Sequence, residues 1–421
     1  MANILVCADG YFRLFSPFSL EPYIDGFIQM LLKAGHNVFS YIEADLKHKK
    51  AYKNYLRHFQ AYMDVIHFKP DIIFAFNNVL DERFLTKFQC PIYIVASDTP
   101  LFWHNKECIK KYKDRFNVLY FNADFANDLK TNFGISSKHQ LLIPYTTNIT
   151  TANCSQDKDI SFVGNFFNLI SHILHQKLFN KLPPNKKQQA GNLLKQIFEE
   201  YKTSQTIQQK TYEKLFNISE QTDLTKEKIT QYFCITLTNN QRTNLLKELT
   251  SLDLHIYTYE QNLCCMDFDY NLWNCCHFEN ICSTIDNQRI FNESKISLNM
   301  PHAQVRTGFS WRTCDIMASN AMLLSNKTKD LEVLFGNIVP TYEDEKDIRD
   351  KCLYFLKHDK ERQDIVKSCN KIINLKHRYE HLMLLLSEFI GLKQSPTLGK
   401  LTDTSISRYK QNKYQKNMAK A

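Results

Sequence analysis

The chain has 421 residues, too many for one ordinary hydrophobic core, so two domains are expected. Its 43% hydrophobic and 23% charged residues are normal for a globular protein and exclude a disordered or low-complexity chain. A net charge of +9 suits an acidic ligand or an anionic membrane surface, but no zinc-finger, homeodomain or RNA-recognition signature makes it a nucleic-acid partner.

The first residues, "MANILVCADG", lack the basic n-region and cleavage site of a signal peptide. No run of about 18 uncharged apolar residues reads as a membrane span. Thirteen cysteines, odd in number and scattered, read as free thiols in a reducing cytoplasm.

Residues 3–8, "NILVCA", read as a buried strand. A helix follows, with Ile24, Phe27, Ile28, Leu31 and Leu32 at helical spacing, and it should stop at Gly35. "NVFSYI" reads as the next strand, then "PDIIFAFN" (70–77), "PIYIVASD" (91–98), "NVLYFNA" (117–123) and "LLIPY" (141–145). Unbroken apolar strands alternating with helical segments imply a parallel sheet covered on both faces. The expected first domain is therefore Rossmann-like and spans 1–152.

A polar, turn-rich linker (146–159) leads into a second alternation. Its strands are "DISFVGN" (159–165), "DLHIYTY" (253–259), "SKISLNM" (294–300), "AMLLSN" (321–326) and "NIVPTY" (337–342). The expected second Rossmann-like domain spans 153–392. A lysine- and glutamine-rich stretch, about 168–232, interrupts the alternation and reads as a helical insertion. The tail, 393–421, carries lysines among Tyr409 and Tyr414 without apolar periodicity, so a flexible solvated tail is expected. The sharper reading is a weak contact with anionic lipid, about 1 kcal/mol per basic residue.

Ligands of open α/β sheets bind beyond the carboxyl ends of the strands. In the second domain those ends carry Gly164 and Asn165, then His302, and then "TGFSWRTCD". In that segment Thr307 opens the loop, and Gly308 lets the backbone approach a phosphate. Ser310 and a helix N-terminus would bind a diphosphate, Arg312 would neutralise it, and Asp315 would accept bonds from ribose or sugar hydroxyls. The competing reading makes Ser310 a helix cap and Arg312–Asp315 an ordinary i,i+3 ion pair.

The run "SKISLNMPHAQVRTGFSWRTCDIMASNAMLLSN" resembles the donor-binding region of bacterial GT-B glycosyltransferases of the CgeB-like (spore-maturation-protein-like) group. "DISFVGN" is similar to the glycine-ended strand opening their second domain. The resemblance implies an α/β GT-B fold: two Rossmann-like domains facing a cleft, here with a helical insertion in the second. It implies an N-terminal acceptor domain and a C-terminal nucleotide-sugar domain. By the same resemblance Ser310 and Arg312 would face the diphosphate, and Asp315 would take the ribose-binding acidic position. In this sequence aspartate stands for the commoner glutamate, and Asn320 stands where a glycine is usual.

Asp98 and His104 follow the strand at 91–96, where a general base would lie, although a turn aspartate and an exposed histidine explain them equally. Asp9, next to Gly10, is the second candidate base. "CCMDFDYNLWNCCHFENIC" (264–282) could bind zinc through its thiols and His277, but buried inert thiols are the favoured reading, so no metal is assigned. The expected function is transfer of a sugar from a nucleotide diphosphate sugar to a glycan, lipid-linked or protein acceptor, in surface polysaccharide or glycoconjugate synthesis. The expected location is cytoplasmic, with a peripheral contact at the inner membrane face, and no cofactor beyond the donor is expected. The alternative is a non-catalytic nucleotide- or glycan-binding protein of the same fold.

Overall fold

A computed structural model describes residues 1–13, 16–19, 21–44, 62–80, 82–103, 105–204, 210–211, 213–214, 217, 224–258, 269–277, 279, 281, 283–305, 307–393 and 397–403. The chain divides into two units. The first comprises Met1–Thr150, Cys282–Gln288 and Ile372–Ala421, and the second Thr151–Ile281 and Arg289–Lys371.

The first unit opens with β1 (Asn3–Arg13), β2 (Ser16–Ser19), α1 (Pro22–Lys33), β3 (Asn37–Ala44), β4 (Ile72–Phe76), α2 (Glu82–Lys87), β5 (Ile92–Ala96), α3 (Lys106–Lys111), β6 (Phe116–Tyr120), α4 (Phe125–Phe133) and β7 (Gln140–Leu142). The sheet runs β3-β1-β4-β5-β6-β7, and β2 folds back on β1 as its antiparallel partner. The strands follow from their sequences. Every residue of β5 is buried, and so are Ile73, Phe74, Ala75 and Phe76 of β4, as expected of parallel strands covered on both faces. α1 ends where expected, because Gly35 takes a φ of 84° that other residues rarely adopt.

The chain continues through β8 (Lys158–Val163), α5 (Asn168–Phe179), α6 (Pro184–Ser204), α7 (Lys226–Lys247), β9 (Leu254–Tyr257), α8 (Tyr270–Asn274), β10 (Cys276–His277), α9 (Thr284–Asn292), β11 (Ser294–Asn299), α10 (Arg312–Met317), β12 (Met322–Asn326), α11 (Lys329–Phe335), β13 (Thr341–Tyr342), α12 (Glu345–Lys357) and α13 (Asp359–Lys376). The second unit's six strands are all parallel, in the order β10-β9-β8-β11-β12-β13. From β8 the chain steps outward through β9 to β10, then crosses back to place β11 on the other side of β8. The β8–β11 boundary is thus the topological switch point, where doubly wound sheets open a crevice for ligands.

The described residues of the insertion are mainly helical. α5, α6 and the first half of α7 share a core of Leu174, Leu178, Leu194, Ile197, Ile229 and Phe233. α7 runs past the expected limit of 232 to Lys247, and its second half buries Leu245 and Leu246 against the sheet instead. One helix therefore serves two cores with its two halves, and the second half, "RTNLLKELTSL", reads in sequence as a separate helix before the strand at 253–259.

The last residues depart from the expected boundaries. α14 (Tyr379–Ile390) belongs to the first unit, in keeping with the resembled fold, in which the last long helix crosses back to the first domain, and Tyr379 lies over α1 so closely that a Cβ on Gly26 would come within 1.9 Å of its hydroxyl. The helix buries Tyr379, Leu382, Met383 and Leu386, an apolar stripe that needs a core to pack on. Residues 401–403, assigned from sequence to a flexible tail, form β14 (Leu401–Asp403) parallel to β3 at the sheet edge. Gly399 permits this, because a Cβ there would meet the His36 carbonyl at 1.6 Å. Residues 404–421 lie outside the described residues. No described helix is long and apolar enough to cross a membrane.

Candidate functional site

β8 and β11 end side by side at the switch point, and Ser161 and Ser297 meet there through a buried 2.7 Å hydroxyl contact. Gly164 follows β8, buried, with its N–H donating to the Tyr257 carbonyl at 3.0 Å. Asn165 is half-buried beside it. From α7 the Arg242 guanidinium reaches across the boundary. It donates to the Asn165 carbonyl beyond β8 and twice to the Met300 carbonyl beyond β11, at 2.7 and 3.2 Å. It also lies over the Phe162 ring, 5.6 Å from the centroid.

Sequence reasoning missed Arg242. The available signal was an arginine on the buried stripe formed by Thr238, Leu245, Leu246 and Leu249. A charged residue in that position needs a specific set of partners. Here the partners are carbonyls, and no carboxylate pairs with Arg242 among the described residues. Burial first, then the neighbouring Arg312 charge, pushes its pKa down to about 9.

Arg312 opens α10 and is half-buried. It makes no hydrogen bond or ion pair with any described residue, and none joins it to Asp315 in the first turn of α10. The ordinary ion-pair reading of these two residues therefore has no support. α10 has only six residues, so its dipole is small, and the positive potential here comes mainly from the two guanidinium groups.

The loop before α10 is pinned from three sides. The Ser310 hydroxyl donates to Asn299 Oδ1, and Asn299 Nδ2 donates to Ser325 Oγ at 2.9 Å, tying the loop to β11 and β12. Thr307 accepts the Asp330 N–H at 2.9 Å, tying it to α11. Gly308 and Phe309 are buried between these ties. Ser310 is not the helix cap: the cap position is Trp311, without a side-chain bond. The Ser310 hydroxyl proton is already used by Asn299, so a phosphate oxygen would have to compete for it.

His302 sits just past β11, its ring 5.3 Å edge-on from Phe167, the residue before α5. Burial, and then the Arg242 charge, push its pKa down to about 3, so the imidazole is neutral. Its Nδ1 accepts the Gln304 N–H at 3.2 Å, which leaves the ring proton on Nε2 as a donor. Asn168 Nδ2, a buried donor at the start of α5, and the Thr313 hydroxyl, buried in α10, have no hydrogen-bond partner among the described residues. Gly164, Asn165, His302, Thr307, Gly308, Ser310, Arg312 and Asp315 all belong to segments that follow β8 and β11 in this unit.

The two candidate bases belong to the first unit. Asp98 follows β5, and its carboxylate accepts a 2.7 Å bond from Asn77 Nδ2, while Asn77 Oδ1 accepts the Asp98 and Ser97 N–H groups. Asn77 takes a φ of 48° to form this clasp. Asp9 lies in β1 opposite Glu43 of β3. His104 lies outside the described residues, as do Cys264, Cys265 and Cys282. Of the remaining cysteines in that segment, Cys276 is pushed up to about 12 by burial, which disfavours the thiolate a metal needs. Among the described residues no group of three or more His, Cys, Asp or Glu is placed to hold a metal.

Residues 242–387 match a family model described as glycosyl transferase-like, a span that begins at Arg242 and contains His302, Arg312 and Asp315. No curated protein matches the chain. Among solved structures, sucrose-phosphate synthase from Thermosynechococcus elongatus is similar in fold at 9% identity, with a TM-score of 0.53 over 93% of this chain and 98% of that one. HepE of Anabaena, in complex with UDP-glucose, is similar at 9% identity and a TM-score of 0.52, over 93% of this chain and 100% of that one. The fold is α/β and of the GT-B class, and together with the family match it supports a glycosyltransferase.

Proposed function

We propose that the protein transfers a sugar from a nucleoside diphosphate sugar to a glycan, lipid-linked or protein acceptor in the cytoplasm, within surface polysaccharide or glycoconjugate synthesis of the CgeB-like kind. One observation carries this reading. Arg312 stands without a partner among the described residues, beside the carbonyl-bound charge of Arg242, at the switch point of a parallel sheet. Two neighbouring cations without acidic partners among the described residues are held at a cost that a bound dianion would offset.

In this reading Arg312 donates to the diphosphate, and the field of both arginines stabilises the charge that develops as the diphosphate leaves. The backbone at Gly308 admits the phosphates closely, and Asn165, Thr307 and Gly164, whose missing Cβ makes room for the Phe162 ring, border them. Neutral His302 donates from Nε2 to a sugar or phosphate oxygen. Asp315 accepts the ribose hydroxyls, and Ser310 holds the loop through Asn299. Asp98 serves as base toward the acceptor hydroxyl, with Asp9 the second candidate. HepE was solved with UDP-glucose, which makes UDP the first nucleotide to try.

The test is a thermal-shift panel of UDP, GDP, CDP and TDP, followed by donor hydrolysis and transfer assays with the nucleotide sugar of the best binder. One nucleotide should raise the melting temperature clearly above the others, and its sugar should be released or transferred. Binding without turnover would leave a nucleotide-binding protein, and no shift with any of the four would overturn the reading.

A further inference from the structure

The insertion carries a surface that the donor site does not explain. α5 is apolar on two sides. Leu174 and Leu178 enter the insertion core, whereas Leu169, Ile170 and Ile173 lie 41–43% exposed. At helical spacing these three form one stripe, which continues through exposed Lys177. A surface helix normally shows polar residues on the face away from its core. A clustered aliphatic face outside the core therefore calls for a partner.

Charge identifies that partner's chemistry. From Asn168 to Phe198 the chain has no aspartate or glutamate, but it has Lys177, Lys181, Lys186, Lys187 and Lys195. All are exposed except half-buried Lys186. An aliphatic stripe that carries Lys177 and is followed in the chain by further exposed lysines, with no acidic residue up to Phe198, matches an anionic lipid surface. The aliphatics enter the boundary between headgroups and acyl chains, and the lysines stay among the headgroups.

We propose that this arm, α5 and the start of α6, docks the protein on an anionic bilayer. The arm is a different element from the basic C-terminal tail. It begins at Phe167, whose ring packs on His302, so the docked helix would start at the edge of the switch-point site in the same unit. The proposal does not rest on the donor reading, because docking needs no nucleotide.

The experiment is flotation of the full chain with phosphatidylcholine vesicles, with and without phosphatidylglycerol. The protein should float with the anionic vesicles only. Replacing Leu169, Ile170 and Ile173 together by serine should weaken binding by about tenfold or more, with an unchanged melting transition, since none of the three lies in the core. Lys177→Gln with Lys187→Gln should weaken it by about fivefold per lysine. Should the triple variant melt early, the lysine pair decides alone. A wild-type chain that stays unbound overturns the proposal. So does a folded triple variant that floats as well as wild type, or a complete loss of binding on removing residues 404–421 with the arm intact.

Discussion

Arg312→Ala separates a ligand-binding arginine from a structural one. The side chain has no hydrogen-bond or ion-pair partner among the described residues, so its removal breaks no bond to any of them. Half-buried side chains without such roles usually change stability by about 0.5 kcal/mol or less. Here even the sign is predictable. Arg312 is one of the charges that lower the pKa of Arg242, so removing it relieves repulsion, and stability should hold or rise slightly. Binding should behave differently. A hydrogen bond from a guanidinium to a phosphate contributes about 1.5–3 kcal/mol, which is roughly a tenfold to 150-fold loss of nucleotide affinity. Titration calorimetry with the best nucleotide of the panel measures that loss, and the ligand-free melting temperature measures the fold. Arg312→Lys, which keeps the charge but not the fork, should fall between wild type and alanine. An alanine variant that melts normally and binds within about twofold of wild type would refute the site. A variant that unfolds without ligand would make Arg312 structural.

Other perturbations probe the supports. Arg242→Met should be severe for the fold: it leaves the Asn165 and Met300 carbonyls without their donor in a buried setting, at about 1–3 kcal/mol each, and a melting temperature equal to wild type would contradict the bridge. Asp98→Asn should lower transfer by about 10²–10⁴-fold while leaving nucleotide affinity intact, and unchanged transfer would remove Asp98 as the base. His302 has a folded pKa of about 3, below its unfolded value near 6.5, so its neutral form contributes stability at pH above about 6.5 that is lost as pH falls toward 3. The loss is at most about 1.4 kcal/mol per pH unit, and less because the ring is half-buried. His302→Gln should flatten the fall of melting temperature between pH 7 and pH 5 relative to wild type, and identical pH curves would contradict the burial.

Apart from β2, β10 and β14, which are only four, two and three residues long, the strands of both sheets were legible because parallel strands buried on both faces are unbroken apolar runs. β4, β5 and β12 stand out in sequence for that reason. Their order was not legible. That β8 lies between β9 and β11 depends on crossover direction, which leaves no mark on any single strand. The loop at 307–312 was legible as a cluster of polar residues after a strand, but the role of each hydroxyl was not. Ser310 reads as a cap until Asn299, eleven residues earlier, is seen to accept its proton. Arg242 was hidden for a related reason. Its partners are two carbonyls 77 and 58 residues away in sequence, and carbonyls belong to every residue, so no pattern of side chains announces them.

The two arginines are not interchangeable, and the difference says how the site is built. Arg242 spends donors on all three guanidinium nitrogens to hold the ends of β8 and β11 together, so it has little left with which to fork a phosphate. What it supplies is position and a fixed charge in a buried place, where the field is weakly screened. Arg312 has the opposite endowment: partial exposure and a full set of donors that no described residue uses. A site made this way is charged before the ligand arrives, so little has to reorganise as negative charge builds on a leaving diphosphate. Burial first keeps His302 neutral, and the same arrangement adds to it. A third cation beside Arg242 would raise the repulsion further, whereas a neutral ring keeps one N–H to offer. The cost of the like-charged pair is thus kept to two groups, one locked by the backbone and one left for the ligand.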